Sequence, residues 1–405
     1  MGQAGQAEDA GAGPPQRRQD HGRNHRRSRD PPESRLMREE LFALLADLVA
    51  IPSTVPPGDT AAIAAHCEAL LLPEYQTEIV GKGNLVARMG SGRPSIVFNA
   101  HADTVDVGKR AAWRTDPFKA TLAGGRVYGL GACNCKSSMA VHLWLAREIA
   151  RRGGPQRGEI VFTVVGDEEN LGTQGLAHLR AAGIVKPDTL IVAAQTRNRL
   201  VLEERGVMWL RVTARGRAAH AGAPYAGESA ILRMQTIIAA LSGIAERVSP
   251  SGHKSTLSIG RIRGGENINV VPEECVIELD RRILPRDDFG AAFSEIKSAC
   301  EKAGASDVEL LTGTPGFSAP PGGPGVKAFS EAIGAVTGKA PEPLNVVGAS
   351  DARYFARDGV EIIVTGPGDG ADSHMPNEFV LLDELVEAAR IQSEAASRLL
   401  GLRSR

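Results

Sequence analysis

The sequence predicts an α/β protein, with one domain built on a mixed sheet flanked by helices and a smaller α+β insertion inside it. Three observations predict this. First, apolar runs of strand length alternate with stretches of helical periodicity through the first half of the chain, the pattern of strands buried on both faces. Second, the period changes after Gly206, and about 105 residues then read as strand, helix, two strands and helix. Third, a glycine- and proline-rich run over residues 313–325 returns the chain to buried-strand patterning. The expected division is a tail at 1–35, a first domain at 36–207 and 313–405, and an insertion at 208–312.

Composition narrows the classes of function. A chain of 405 residues with 42% hydrophobic and 23% charged residues is globular and long enough for two cores. Its formal net charge of −1 gives no general reason to bind nucleic acid or an anionic membrane, so the expected partner is a small molecule. Five scattered cysteines form no disulfide framework and suit a reducing, cytoplasmic setting. Cys133 and Cys135, a lone C-x-C pair, read as ordinary packing. Residues 1–35 carry almost no large apolar side chains and are expected to be disordered, and no apolar segment reaches the roughly 18 residues of a membrane span.

The elements follow in order. Apolar residues at helical spacing over 36–51 stop at Pro52, and 60–72 reads as a second amphipathic helix. Residues 84–88 form a short strand, and 95–100 a buried one that ends at His101 and Asp103. A turn at 125–129 leads into a helix after Lys136. Residues 159–165 are a second buried strand, ending in Asp167, Glu168 and Glu169, and 189–194 a third, ending at Gln195. In the insertion, alternation over 208–215 precedes His220, a helix over about 229–248, a strand near Thr256, a strand over 275–282 and a helix over about 289–303. Residues 361–365 form a further buried strand before the glycine-rich loop 366–374, and 382–400 a final helix. There is no internal repeat.

Open α/β sheets bind ligands beyond the C-terminal ends of their strands, where three runs here deliver polar groups. A His-x-Asp pair at a strand end suits a metal-binding imidazole whose second nitrogen is held by the carboxylate. Adjacent acids at Glu168 and Glu169 suit a division of labour between metal binding and proton transfer. Each signal has a plain alternative, a satisfied histidine or a solvated acid, and it is their combination that points to one cleft.

At these residues the chain resembles the zinc aminoacylase family that includes acetylornithine deacetylase, succinyl-diaminopimelate desuccinylase and glutamate carboxypeptidase. The matching stretches are Phe98-Asn-Ala-His-Ala-Asp103, Gly129-Leu-Gly-Ala-Cys-Asn-Cys-Lys136, Gly166-Asp-Glu-Glu169, Gly216-Arg-Ala-Ala-His220, Asn269-Val-Val-Pro272 with Asp280-Arg-Arg282, Ser350-Asp-Ala-Arg353 and the loop from Gly366 to His374. They span roughly residues 36–402. The resemblance implies a catalytic domain with two zinc ions and an inserted dimerisation domain. It implies His101, His374 and Glu169 as metal ligands, Glu168 as general base and Asp103 as the partner that orients His101. It implies His220, from a partner subunit of a homodimer, as oxyanion donor, and Asn269, Arg282, Arg353 and Gly366 as substrate contacts. From the residues alone, a strand-surface salt bridge explains Arg282 as well.

Two positions depart from the family. Asn134 stands where the bridging aspartate belongs, and Gln195 where another acidic ligand belongs. Of three ligand carboxylates only Glu169 remains, too little negative charge for two zinc ions. The expectation is one ion held by His101, His374 and Glu169, or none, with Asn134 and Gln195 bonding a substrate instead. Three functions follow. The first is hydrolysis of an N-acyl amino acid or small peptide amide, the second an acyl-transfer or amide-forming reaction on the same scaffold, and the third non-catalytic binding of an amino-acid derivative.

Overall fold

The computed structural model describes residues 32–320, 322–346 and 348–404. Most of the expected tail lies outside the described residues, but 32–35 open the first helix, Pro32–Ala50. Pro32 sits at its first position, where a missing N–H costs nothing and a fixed φ favours the helix.

The larger unit is organised by a six-stranded mixed sheet in the order Glu361–Thr365, Thr189–Ala193, Ser95–His101, Glu159–Val165, Asn84–Gly90 and Gln76–Val80. The first four run parallel, and Asn84–Gly90 pairs antiparallel with Glu159–Val165 and with the edge strand. Both faces are covered, which is why these strands read as unbroken apolar runs. Ile96, Phe98, Ile160, Phe162 and Ile191 pack under Pro32–Ala50, Lys136–Arg151 and Leu382–Leu400. Their neighbours Val97, Val161, Leu190 and Val192 point the other way, to the helix Leu176–Ala181 and the turn Asp351–Phe355.

The insertion is a four-stranded antiparallel sheet in the order Thr256–Gly264, Glu274–Ile283, Gly206–Arg215, Asp307–Thr314. Helices Ala230–Ser242 and Phe289–Lys302 cover one face and enclose a separate core around Leu210, Ile237, Ile277 and Ile296. The fourth strand, Asp307–Thr314, was not legible as a strand. It is largely polar and exposed, and its pairing with Gly206–Arg215 makes it one. The helix expected over 229–248 ends at Ser242, because Gly243 follows and glycine is a poor helix former.

Both connections between the two units pass side by side. Glu203–Glu204 pairs antiparallel with Phe317–Ser318. A Cβ on Gly316 would stand 2.5 Å from the Glu204 carbonyl oxygen and 2.8 Å from the Gly206 nitrogen, so only glycine lets the two strands approach this closely. Among the described residues no helix is long and apolar enough to cross a membrane.

Candidate functional site

Three parallel strands end on one side of the sheet and bring His101, the loop after Val165 and Gln195 together. The cleft there has a volume of about 240 Å³ and is lined by Asn99, His101, Asn134, Glu168, Glu169, Gln195, Ser350, Asp351 and His374, among others. This convergence follows from parallel strands sharing a direction, so that polar residues at their C-terminal ends meet.

Asn134 lies at the centre. Its Nδ2 donates to Glu169 Oε1 at 2.7 Å and lies 2.7 Å from His374 Nε2. Its Oδ1 lies 3.0 Å from His101 Nε2 and accepts from Gln195 Nε2. One neutral amide therefore touches His101, Glu169, Gln195 and His374. The loop that presents it is fixed from outside the cleft, because buried Glu378 accepts from the backbone N–H groups of Gly131, Cys133 and Asn134 at 2.7 to 3.0 Å. Burial pushes that carboxyl up to about 7 despite the three amides.

His101 Nδ1 lies 3.0 Å from the Asp103 carbonyl oxygen and 3.5 Å from its carboxylate, while Asp103 Oδ2 accepts from the Glu169 N–H at 3.0 Å. Asp103 thus orients both the imidazole and the acid loop. Burial disfavours a charged His101, but Cys135, Glu168 and Asp103 outweigh it and hold its pKa well above the ordinary value. Burial likewise works against Asp103 ionisation, yet His101 and the amides of Glu168 and Glu169 keep it below the ordinary carboxyl value. Glu168 is half-buried, its side chain 13% exposed, with Oε2 3.9 Å from His101 Nε2, and desolvation raises its carboxyl to about 7 against the pull of His101 and Arg353. An acid poised there can take and return a proton near neutrality. Glu169 Oε1, 2.9 Å from His374 Nε2, accepts a hydrogen bond from the imidazole and raises the His374 pKa above its ordinary value.

Several expected site residues are placed elsewhere. Arg353 is buried behind Glu168, not open to a ligand. Its Nη1 donates to Glu168 Oε1 at 3.3 Å, and its Nη2 donates to the Tyr354 hydroxyl and faces Asp351. This corrects the expectation of a substrate clamp, since two acids in the protein already hold the guanidinium. Gly366 is not a cleft residue either. A Cβ there would stand 2.5 Å from the Ala194 carbonyl oxygen and 2.6 Å from Ser138 Oγ, so it is a close-packing position. Arg282 makes a bidentate pair with Asp280 at 2.8 and 3.0 Å within the insertion, the salt bridge that the residues alone also allowed. His220 and Asn269 lie together at one end of the inserted sheet, where His220 bridges Val270, and neither lines the cleft of its own chain. Glu378, Glu204 and Asp351 were missed, although Glu378 stands four residues after His374 and Asp351 within the quoted Ser350–Arg353 stretch.

A metal pair bridged at residue 134 does not fit these donors, because an amide offers one ligand oxygen and its nitrogen faces Glu169 and His374. A single ion does fit. Ligand atoms of His101, Glu168 and Glu169 lie within 4.8 Å of one another. This trio differs from the expected His101, Glu169 and His374, since Asn134 stands between the two histidines.

Comparison with known proteins agrees with this architecture. The model of peptidase family M20/M25/M40 matches residues 97–398. A succinyl-diaminopimelate desuccinylase of Bordetella avium is 30% identical over 373 residues, covering 88% of this chain and 98% of its own. One from Rhodospirillum centenum is 29% identical over 387 residues, covering 89% and 98%. Among solved structures, an M20 family metallo-carboxypeptidase from Sulfolobus solfataricus superposes with a TM-score of 0.76 at 18% identity, covering 90% of this chain and all of that one. A Bacillus subtilis protein described as a dinuclear metal-binding M20 peptidase gives 0.70 at 17%, covering 91% of this chain. With the family model spanning most of the chain, and the fold shared over about nine-tenths of its length with a solved structure of that family, this chain belongs to peptidase family M20/M25/M40 and is a hydrolase of the amidohydrolase and peptidase kind.

Proposed function

We propose that this protein hydrolyses the amide bond of an N-acyl amino acid or small peptide derivative at a cleft holding no more than one metal ion. The observation that carries the reading is the placement of Glu168, a half-buried acid 3.9 Å from His101 Nε2 and paired with Arg353 in a small cleft at the strand ends. Glu168 would take a proton from the attacking water and return it to the leaving amine. Arg353 and Asp103 hold the groups that act, the first pairing Glu168 and the second aligning His101. An ion held by His101 and Glu169, with zinc the expected one, would supply polarisation of the scissile carbonyl and leave the adjacent Glu168 carboxyl for the proton.

The insertion supports a homodimer. His220 and Asn269 lie off their own cleft, so their expected roles as oxyanion donor and substrate contact require a second copy. The desuccinylases among the relatives favour an N-acylated amino acid as the substrate class. Five cysteines, all free and buried, support a reducing compartment such as the cytoplasm. Acyl transfer is the second reading. It is favoured by Asn134 and Gln195, which remove the charge that would stabilise a second ion.

The test measures metal content by mass spectrometry beside turnover of an N-acyl amino-acid and dipeptide panel, with and without added amine acceptors. The expected result is no more than one equivalent of metal in the parent, two in Asn134→Asp with Gln195→Glu, and a loss of about 10²- to 10⁴-fold in kcat in Glu168→Gln. A parent that binds an amino acid tightly but turns over no acyl donor would sink the enzyme reading in favour of a binder. Product formed only with an amine acceptor would select acyl transfer.

A further inference from the structure

The connector between the two units carries a buried acid for which the proposed reaction has no direct use. Glu204 is 3% exposed and sits where the chain passes from the large sheet to the insertion, paired through its backbone with Phe317 on the returning strand. Its carboxylate reaches across to the cleft side. Oε1 accepts from Ser350 Oγ at 2.9 Å, and Oε2 accepts from Ser350 N–H at 3.1 Å and from Oγ at 3.0 Å.

Ser350 begins the turn Asp351–Phe355 and caps it by accepting from the Ala352 N–H at 3.3 Å. Ser350 and Asp351 line the cleft. Asp351 accepts from Asn99 Nδ2 at 3.1 Å and lies 3.8 Å from Arg353 Nη2, and Arg353 donates to Glu168 at 3.3 Å. The Tyr354 hydroxyl donates to the Gly172 carbonyl, closing the turn onto the loop that follows Glu168 and Glu169. Every link from the connector to the base is a hydrogen bond or ion pair between buried or half-buried groups.

We propose that Glu204 is a positioning residue for Glu168, acting through the Ser350 turn and Arg353, so that the seating of the insertion on the connector sets the geometry of the base. This rests on the reading of Glu168 as the proton-transfer group. The physical argument has three parts. The close crossing at Gly206 and Gly316 makes the two connectors one unit, so a rotation of the insertion moves Glu204 with it. A carboxylate that accepts both the N–H and the hydroxyl of one residue fixes that residue in position and orientation, which a single hydrogen bond does not. An isolated buried acid is costly, and desolvation raises Glu204 to about 7 even against the Ser350 bonds, so an amide or an apolar side chain would fill a purely structural position at less cost.

The test uses the full chain and two variants, Glu204→Gln and Ser350→Ala, with Ser350→Thr as the conservative control that keeps the hydroxyl. Hydrogen–deuterium exchange followed by mass spectrometry reads the turn without any substrate. The expected result is exchange about tenfold faster across residues 349–355 in both variants, parent-like exchange in the strands Ser95–His101 and Glu159–Val165, and parent behaviour in Ser350→Thr. On whichever panel substrate the parent turns over, kcat falls about tenfold while KM stays within about twofold. Parent-like exchange over 349–355 in both variants would overturn the proposal, as would a raised KM at unchanged kcat. If Glu204→Gln does not fold, Ser350→Ala decides alone. If no panel substrate is turned over, the hydrolase reading fails, and the exchange measurement still decides the positioning role.

Discussion

At the scale of single residues, Asn134 is the hub of the cleft. It stands where His101, Glu169, Gln195 and His374 meet, and its neutral amide joins them by hydrogen bonds where an aspartate would add a negative charge. His142 shows the opposite case, a histidine with no part in the cleft. It packs against Phe98 and Phe162 in the core, its Nε2 has no partner, and burial lowers its pKa to about 3. An imidazole held neutral when folded and ionisable when unfolded stabilises the fold fully above the unfolded value of about 6.5. That contribution is lost as pH falls through the window from about 6.5 to 3, at about 1.4 kcal/mol per pH unit. Replacing it by methionine, His142→Met, is expected to remove that part of the slope, measured by denaturant unfolding between pH 7 and pH 4. Equal slopes in parent and variant would show that His142 is charged or exposed in the native state.

At the scale of elements, the cleft is built from strand ends and from the loops packed against them. The loop from Gly366 runs so close to Ala194 and Ser138 that a methyl group has no room. Its N–H also donates to Thr196 Oγ1 at 3.1 Å, which ties the two strand ends together. Gly366→Ala is therefore expected to destabilise the protein by about 1–3 kcal/mol through overpacking. Adding Ser138→Gly should recover only part of this, because the Ala194 carbonyl remains 2.5 Å from the new atom. Chemical denaturation of the single and double variants checks both statements, and full recovery in the double variant would place the whole conflict at Ser138.

At the scale of the whole molecule, the two units are joined by the paired connectors and by hydrogen bonds from Asn345 to the Ser251 carbonyl and from Arg357 to the Asp287 carbonyl, and the insertion leaves an open sheet edge. The edge strand Thr256–Gly264 pairs on one side only and exposes Ile262, while Ile268 in the following loop and Leu232 on the neighbouring helix are exposed as well. The unpaired backbone of this edge, with Ile262 exposed between Arg261 and Arg263, is a template for pairing with a second copy. Analytical ultracentrifugation is expected to show a homodimer that Ile262→Glu converts to monomer. If His220 acts across the interface, the same substitution should lower turnover by about tenfold or more without unfolding the protein. A parent that sediments as a monomer would remove His220 from the mechanism.

The sequence by itself determined the fold class, the buried strands and the identity of the groups at their ends. These are local signals, apolar runs and periodicities that persist in any context, and motif residues whose spacing is fixed along the chain. His101, Asp103, Glu168, Glu169 and Asn134 were legible for that reason, and the structure brings them to one place. Tertiary structure alone decided what each charged group faces. Arg353 reads as a clamp until its partners Glu168 and Asp351 arrive from distant segments, and Glu204 and Glu378 read as ordinary acids until folding buries them against Ser350 and the Asn134 loop. The polar strand Asp307–Thr314 exists only because a neighbour pairs with it. The physical reason is common to all four. Burial and the partner of a polar group are properties of segments far apart in the chain, and neither composition nor spacing records them.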